Sequence, residues 1–115
     1  MELQGQSKLL RIFLGEADRI GHRMLYEIIL TRAKENGMAG GTVLKGIMSF
    51  GASSRIHVAR LIELSEDLPV IVEIVDVAEK IDSFIDVVNT LFEECGRGGL
   101  ITVEKVDVLY YKPKK

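Results

Sequence analysis

The chain lacks several features that would by themselves define a class of protein. It has no tryptophan and a single cysteine, Cys95, so an intrachain disulfide is excluded. Its two histidines, His22 and His57, lie far from Cys95 and from each other, without metal-ligand spacing. No apolar run approaches the length of a membrane-spanning helix, and the net charge of −2 lacks the basic excess usual in nucleic-acid binders. We therefore predict no metal, no nucleic-acid partner and no membrane insertion.

What remains is the composition of one globular domain. Hydrophobic residues make up 47% of the 115 residues and charged residues 28%, which is typical of a folded protein with its own core. We expect a single domain over residues 1–115, with flexible tails at 1–7 and 112–115. The polar start of the chain lacks the apolar segment of a signal peptide, and the cysteine usage suits a reducing compartment, so we expect a cytoplasmic protein.

Apolar periodicity predicts four strands and two helices. Alternation over 8–14 indicates the first strand, and similar patterns indicate strands over 42–50, 70–75 and 100–111. A helix is predicted between Gly15 and Asn36, with the acids Glu16 and Asp18 in its first turn. The second helix shows an apolar stripe over 81–95, preceded by Asp76 as a predicted N-cap.

The order β-α-β-β-α-β predicts an α+β fold of the ferredoxin-like type. In that fold two right-handed crossovers give a four-stranded antiparallel sheet with both helices on one face. Several of the strands are apolar on both sides, which an antiparallel sheet with one wet face would avoid. An uncovered apolar face would be a large exposed patch. We therefore predict that the second face packs against other copies of the chain.

A connection of nearly twenty residues separates the second and third strands. Structureless connections of this length are uncommon in a compact domain unless they have a function. Arg55 and Arg60 flank His57 in this loop, which covers about 50–68. The cluster could contact phosphate and include a pH-sensitive member, or its charges could simply be solvated. The sequence leaves both interpretations open.

A glycine-rich run, Gly96-Arg97-Gly98-Gly99, stops the second helix. Successive N–H groups in such a turn form a nest for anions, and glycine lets a phosphate approach closely. A helix C-cap followed by a tight turn also requires glycine. The run is therefore either a phosphate site or only a helix terminator.

Three segments resemble PII signalling proteins in order and spacing. Residues 41–51 (GTVLKGIMSFG) are similar to the strand that leads into the long PII T-loop, and residues 72–76 (VEIVD) to the PII third strand. Residues 96–101 (GRGGLI) are similar to the glycine-rich loop before the PII fourth strand. The chain is most similar to an uncharacterised PII-like branch, whose pattern includes His22, the pair Ile56-His57 and the run LSEDLP at 64–69.

The resemblance implies a homotrimer that binds an adenine nucleotide (ADP, ATP or AMP) in clefts between subunits, with no obligatory cofactor. Phe50 and Gly51 would line the nucleotide, and the glycines of the turn would present backbone amides to phosphate. Gly99 stands where PII has a lysine, so Arg97 or Arg55 would supply the missing charge. The mobile loop would signal to a partner, an unidentified protein or membrane transporter; it holds no tyrosine for modification. The ligand-binding set that we predict is Phe50, Gly51, Arg55, His57, Gly96, Arg97, Gly98 and Gly99.

No catalytic set stands out, and we predict that the protein is not an enzyme. Ser53 and Ser54 lie near His57, but no acid follows at a suitable spacing. An enzyme of acylphosphatase type would need an arginine and an asparagine in a phosphate loop, whereas Asn36 and Asn89 fall on predicted helices. An RNA-binding module would need stacking aromatics in the central strands. These two remain the alternative functions.

Overall fold

The computed structural model describes residues 5–49, 57–58 and 68–113. These residues form eight strands and two helices. In chain order they are β1 (Gly5–Gly15), β2 (Arg19–Ile20), β3 (Arg23–Met24), α1 (Leu25–Glu35), β4 (Thr42–Lys45), β5 (Met48–Ser49), β6 (His57–Val58), β7 (Pro69–Val77), α2 (Ala78–Cys95) and β8 (Leu100–Val108).

Four strands form one antiparallel sheet in the order β4-β7-β1-β8. The central strand β1 pairs on both sides, with Leu10 opposite Ile74 of β7 and Val103 of β8. Each helix returns the chain across the sheet, so the non-consecutive strands β1 and β7 become neighbours. This is the ferredoxin-like arrangement, and the predicted fold class is confirmed.

The core lies between one face of the sheet and the two helices. Alternate residues of β1 and β7 point to this face, and they meet the apolar stripe that the sequence of α2 predicted. Burying each such side chain contributes about 1.5–3 kcal/mol, more than a typical surface ion pair. The buried core residues are Leu10, Ile12, Leu14, Leu25, Ile28, Ile29, Ala33, Val70, Val72, Ile74, Ile81, Phe84, Val88 and Leu91.

The first helix begins later than the sequence predicted. A two-strand hairpin, β2–β3, occupies residues 19–24, and α1 starts only at Leu25. The hairpin forms because Gly21, with φ of 63°, adopts the left-handed conformation that its turn requires. Asp18 accepts a hydrogen bond from the Gly15 amide instead of lying in a helical turn. His22 therefore lies exposed in a hairpin turn, and not on a helix.

The second strand is shorter than predicted. β4 ends at Lys45, and the Gly46 amide donates to the Pro69 carbonyl over 2.8 Å. A Cβ at Gly46 would lie 2.6 Å from Pro69 Cγ, so glycine is required where the chain leaves the sheet. Residues 48–49 instead pair with residues 57–58 as a separate two-stranded sheet. The strand break thus marks the base of the long loop.

Asp76 does not cap the second helix as predicted. The N-cap position is Val77, and no side-chain cap bond forms there. Because Asp76 lies on the core side of β7 and is fully buried, its carboxylate turns inward. It accepts hydrogen bonds from the Ala39 amide at 2.8 Å and the Val77 amide at 2.7 Å. Asp76 therefore fastens the loop after α1 to the start of α2.

Both ends of the sheet also differ from the predicted bounds. β1 begins at Gly5, because residues 5–7 pair with the end of β8. β8 ends at Val108, short of the predicted 111, and the Tyr111 hydroxyl then donates to the Ala39 carbonyl over 3.3 Å. Neither α1 nor α2 is long and apolar enough to cross a membrane.

Candidate functional site

The base of the long loop and the glycine turn lie at the same edge of the sheet. Gly15 at the end of β1 faces Pro69 at the start of β7, and Lys45 at the end of β4 faces Val70. Phe13 faces Leu100, where β8 begins after the turn. Adjacent strands are about 4.8 Å apart, so the loop base and the turn are separated by a few strand widths. We call this edge the loop edge.

The glycine turn combines a helix terminator with two glycines of different surroundings. Gly96 has φ of 79° and its amide donates to the Phe92 carbonyl over 2.9 Å, so it is the C-cap of α2. A Cβ at Gly99 would lie 2.6 Å from Phe92 Cζ and 3.0 Å from the Phe13 oxygen. A Cβ at Gly98 would have no neighbour within 4 Å. The amides of residues 97–99 are therefore the candidate donors to an anion.

An acidic residue that the sequence analysis placed elsewhere lies beside this turn. Asp18 Oδ1 is 3.9 Å from Arg97 Nε, and Asp18 is 3% exposed against 62% for the Arg97 side chain. The Cys95 thiol also donates to the Arg19 carbonyl over 3.2 Å. These two contacts join the turn to the segment that connects β1 with the hairpin. No periodicity signal could have revealed Asp18, because its place depends on the hairpin.

The charges around the turn are mostly negative. The last turn of α2 contains no basic residue, while Glu93 and Glu94 are exposed there. The C-terminal end of a helix also carries partial negative charge. Further along the loop edge, Lys45 Nζ pairs with Glu16 Oε2 at 3.2 Å. Arg97 is thus the cation that the turn itself offers to a phosphate.

The predicted ligand-binding residues separate into two groups. Gly96, Arg97, Gly98 and Gly99 form the turn just described. Residues 50, 51 and 55 lie outside the described residues. The backbone of His57 pairs with Ser49 in the small sheet at the loop. The assignment of all of these as ligand contacts stays a prediction.

The second face of the sheet is apolar at its margins and charged at its centre. Arg11 donates from Nε to Glu73 Oε2 at 2.8 Å and from Nη1 to Glu104 Oε1 at 2.5 Å, so it bridges three strands. These hydrogen bonds raise the pKa of the Arg11 guanidinium above its ordinary value. Leu44 and Leu100 on the same face are 43% and 54% exposed. We call this surface the open face.

A cleft of 350 Å³ also opens on this face, beside the loop that Asp76 fastens. Its wall includes the exposed Tyr110 and the glycines of residues 40–41. Among the described residues, no three His, Cys, Asp or Glu side chains come together as metal ligands.

The backbone arrangement occurs in solved structures of CPII from Thiomonas intermedia K12, a nitrogen regulatory PII-like protein. The structure bound to ADP, AMP and bicarbonate gives a TM-score of 0.68 over 90% of this chain and 88% of that chain. The structure bound to ADP and bicarbonate gives 0.66 with the same coverage, and both are 17% identical in sequence. At this identity the similarity establishes the fold, which is the PII-like form of the ferredoxin-like fold.

Sequence comparison gives the family. Residues 7–108 match the DUF190 model, described as "Uncharacterized ACR, COG1993". A UPF0166 protein of Aquifex aeolicus (strain VF5) is 39% identical over 91% of this chain and 95% of its own length. A UPF0166 protein of Methanocaldococcus jannaschii is 35% identical over 85% and 87%. The chain belongs to the DUF190 (UPF0166) family, which confirms the predicted uncharacterised PII-like branch; no enzymatic activity is named for these relatives.

Proposed function

We propose that the protein is a regulatory, PII-like nucleotide sensor that assembles as a trimer through the open face. An adenine nucleotide binds at the loop edge, with its phosphates at the amides of residues 97–99 and Arg97. The loop over 50–68 changes conformation on binding and presents a different surface to a protein partner, either a regulator or a membrane transporter. A cytoplasmic location suits this role.

One observation carries the proposal: the loop base and the glycine turn share one sheet edge. The Gly46 hydrogen bond closes the base of the loop at this edge. The space around the Cβ position of Gly98 is open, so a phosphate can approach the backbone of the turn closely. The CPII structures that share this fold contain adenine nucleotides, which supports the choice of ligand class. The trimer rests on the apolar margins of the open face, which would otherwise stay exposed.

The described asparagines argue against the acylphosphatase alternative. The Asn36 side chain donates to the Arg32 carbonyl at the end of α1, and Asn89 lies within α2. Neither is next to the glycine turn, where that chemistry would need an amide beside Arg97. We therefore propose a binding protein rather than an enzyme.

Thermal denaturation with AMP, ADP and ATP tests nucleotide binding directly. A ligand at a hundred times its dissociation constant adds about 2.7 kcal/mol of stability. For a chain of this size, that amounts to a rise of several degrees in the midpoint. Guanine nucleotides and inorganic phosphate serve as controls for the base and the phosphate. An unchanged midpoint with every nucleotide at millimolar concentration would contradict the proposal.

Two neighbouring glycines provide a matched pair of variants. Gly98→Ala adds a methyl group in open space, so the free energy of unfolding should change by no more than about 0.5 kcal/mol. The same methyl group should weaken nucleotide binding about tenfold, because it blocks phosphate approach. Gly99→Ala should destabilise the fold by about 1–3 kcal/mol, because Phe92 or Phe13 must move. Calorimetric titration and urea denaturation of both variants measure the difference; unaltered affinity in Gly98→Ala would place the phosphate elsewhere.

A further inference from the structure

Asp18 holds a fixed carboxylate at the side of the glycine turn. Its amide donates to the Gly15 carbonyl over 3.2 Å, and its Oδ2 accepts from the Gly15 amide at 3.0 Å. Its own carbonyl accepts from the Leu25 amide at 2.8 Å. The Gly15 amide and the 3% exposure hold the carboxylate in place, while the two backbone hydrogen bonds fix the segment that carries it. A ligand at the turn therefore meets this negative charge in one place.

Arg97, by contrast, is mostly exposed and only loosely paired. Its side chain is 62% exposed, and its Nε lies 3.9 Å from Asp18 Oδ1, a distance of loose ion pairing rather than a hydrogen bond. Arg97 is the one cation within ion-pair distance of Asp18 among the residues that the structure describes. The hydrogen bond from the Cys95 thiol to the Arg19 carbonyl holds the end of α2 beside this pair. The guanidinium can thus face either Asp18 or a phosphate.

A phosphate at the turn changes the charge around both residues. To contact the phosphate closely, Arg97 must weaken its interaction with Asp18. The negative charge of the Asp18 carboxylate is then less compensated by Arg97. Its repulsion of the ligand grows with the ligand's negative charge. Each further phosphate group of a nucleotide adds to that charge. Glu93, Glu94 and the C-terminal end of α2 act in the same direction.

We propose that Asp18 is a specificity-determining residue that makes the turn favour nucleotides with fewer phosphates. It acts by holding Arg97 and by opposing added negative charge. The proposal rests on the proposed nucleotide site and adds a preference among its ligands. Compared with the same site without the carboxylate, the affinity for AMP is favoured over that for ADP, and the affinity for ADP over that for ATP.

The test is a calorimetric titration of the full chain with AMP, ADP and ATP, without magnesium and at constant ionic strength. Asp18→Asn keeps an oxygen for the Gly15 amide and removes the charge. We expect the ratio of the dissociation constants for ATP and AMP to fall about two- to fivefold in this variant. Asp107→Asn, an exposed position near the opposite edge of the sheet, changes the net charge equally and should leave the ratio unaltered.

A second variant keeps the test decisive if Asp18→Asn folds poorly. Asp18→Ser also removes the charge while keeping a hydroxyl oxygen on the side of the Gly15 amide, and the same ratio should again fall. An unchanged ratio in both variants, with binding retained, overturns the role of Asp18 while the nucleotide site stands. If no nucleotide binds to the wild type or to either variant, the nucleotide site and the role of Asp18 both fall.

Discussion

Replacing Asp76 by alanine should lower the free energy of unfolding by about 3 kcal/mol. The substitution leaves two partly buried amides, those of Ala39 and Val77, without their acceptor oxygens. Each lost hydrogen bond to a charged group is worth about 1.5–3 kcal/mol, partly offset by the desolvation cost of the carboxylate that disappears. Urea denaturation followed by circular dichroism measures the change.

Two further variants show whether the carboxylate oxygens cause this loss. Asp76→Asn retains one acceptor oxygen and should lose about half as much stability. Asp86→Ala, at an exposed position of α2, should stay within about 0.5 kcal/mol of the wild type. Equal stability of Asp76→Ala and the wild type would show that the two amides find other acceptors.

Replacing Arg11 by methionine should abolish assembly while the chain stays folded. The proposed trimer buries the open face, where Arg11 pairs with both Glu73 and Glu104. Without the guanidinium, burial of this face would bring two carboxylates together without a cation. The mass measured by light scattering after gel filtration should therefore fall from about three times the 12.8 kDa chain mass to the mass of a single chain.

The control for this variant is a lysine on the other face. Lys8 Nζ pairs with Asp82 Oδ1 at 2.7 Å beside α2, so Lys8→Met removes an ion pair without touching the open face. It should leave the assembly intact. A wild-type chain that is itself monomeric at micromolar concentration would contradict the proposed trimer.

The raised pKa of Arg11 also determines how its contribution to stability depends on pH. A group whose folded-state pKa is above its unfolded value adds stability at every pH below the unfolded value. That contribution is lost only as the pH rises through the folded pKa, which for Arg11 is raised further above an already strongly basic value. The Arg11 guanidinium therefore stays charged at any pH at which assembly is measured.

The sequence predicted the sheet and α2 well because their patterns have one physical cause. In β7 and α2, every buried position faces a single core, so alternation and helical spacing appear directly. The start of α1 was wrong because Glu16 and Asp18 imitate the acids of a first helical turn. Ile20 also falls at helical spacing with Met24, although both residues belong to the hairpin.

The candidate site was only partly accessible to sequence reasoning. The glycine turn was visible because glycine marks positions that few other residues can occupy. The pairing of Asp18 with Arg97 was not, because it joins segments almost eighty residues apart through a hairpin that the pattern concealed. The same holds for Tyr111 and Ala39, whose contact depends on where β8 ends.

The contact between Gly46 and Pro69 lets the long loop vary in length with little effect on the sheet. Backbone hydrogen bonds from the Gly46 amide to the Pro69 carbonyl and from the Glu16 amide to the carbonyl of the buried Leu68 fix the two ends of the excursion on the sheet. Doubling the length of such a segment costs only about 0.6 kcal/mol in closure entropy. Under the proposed function, the middle of the segment can therefore change in length to address other partners, while Phe50 and Gly51 at its start stay under selection for the ligand.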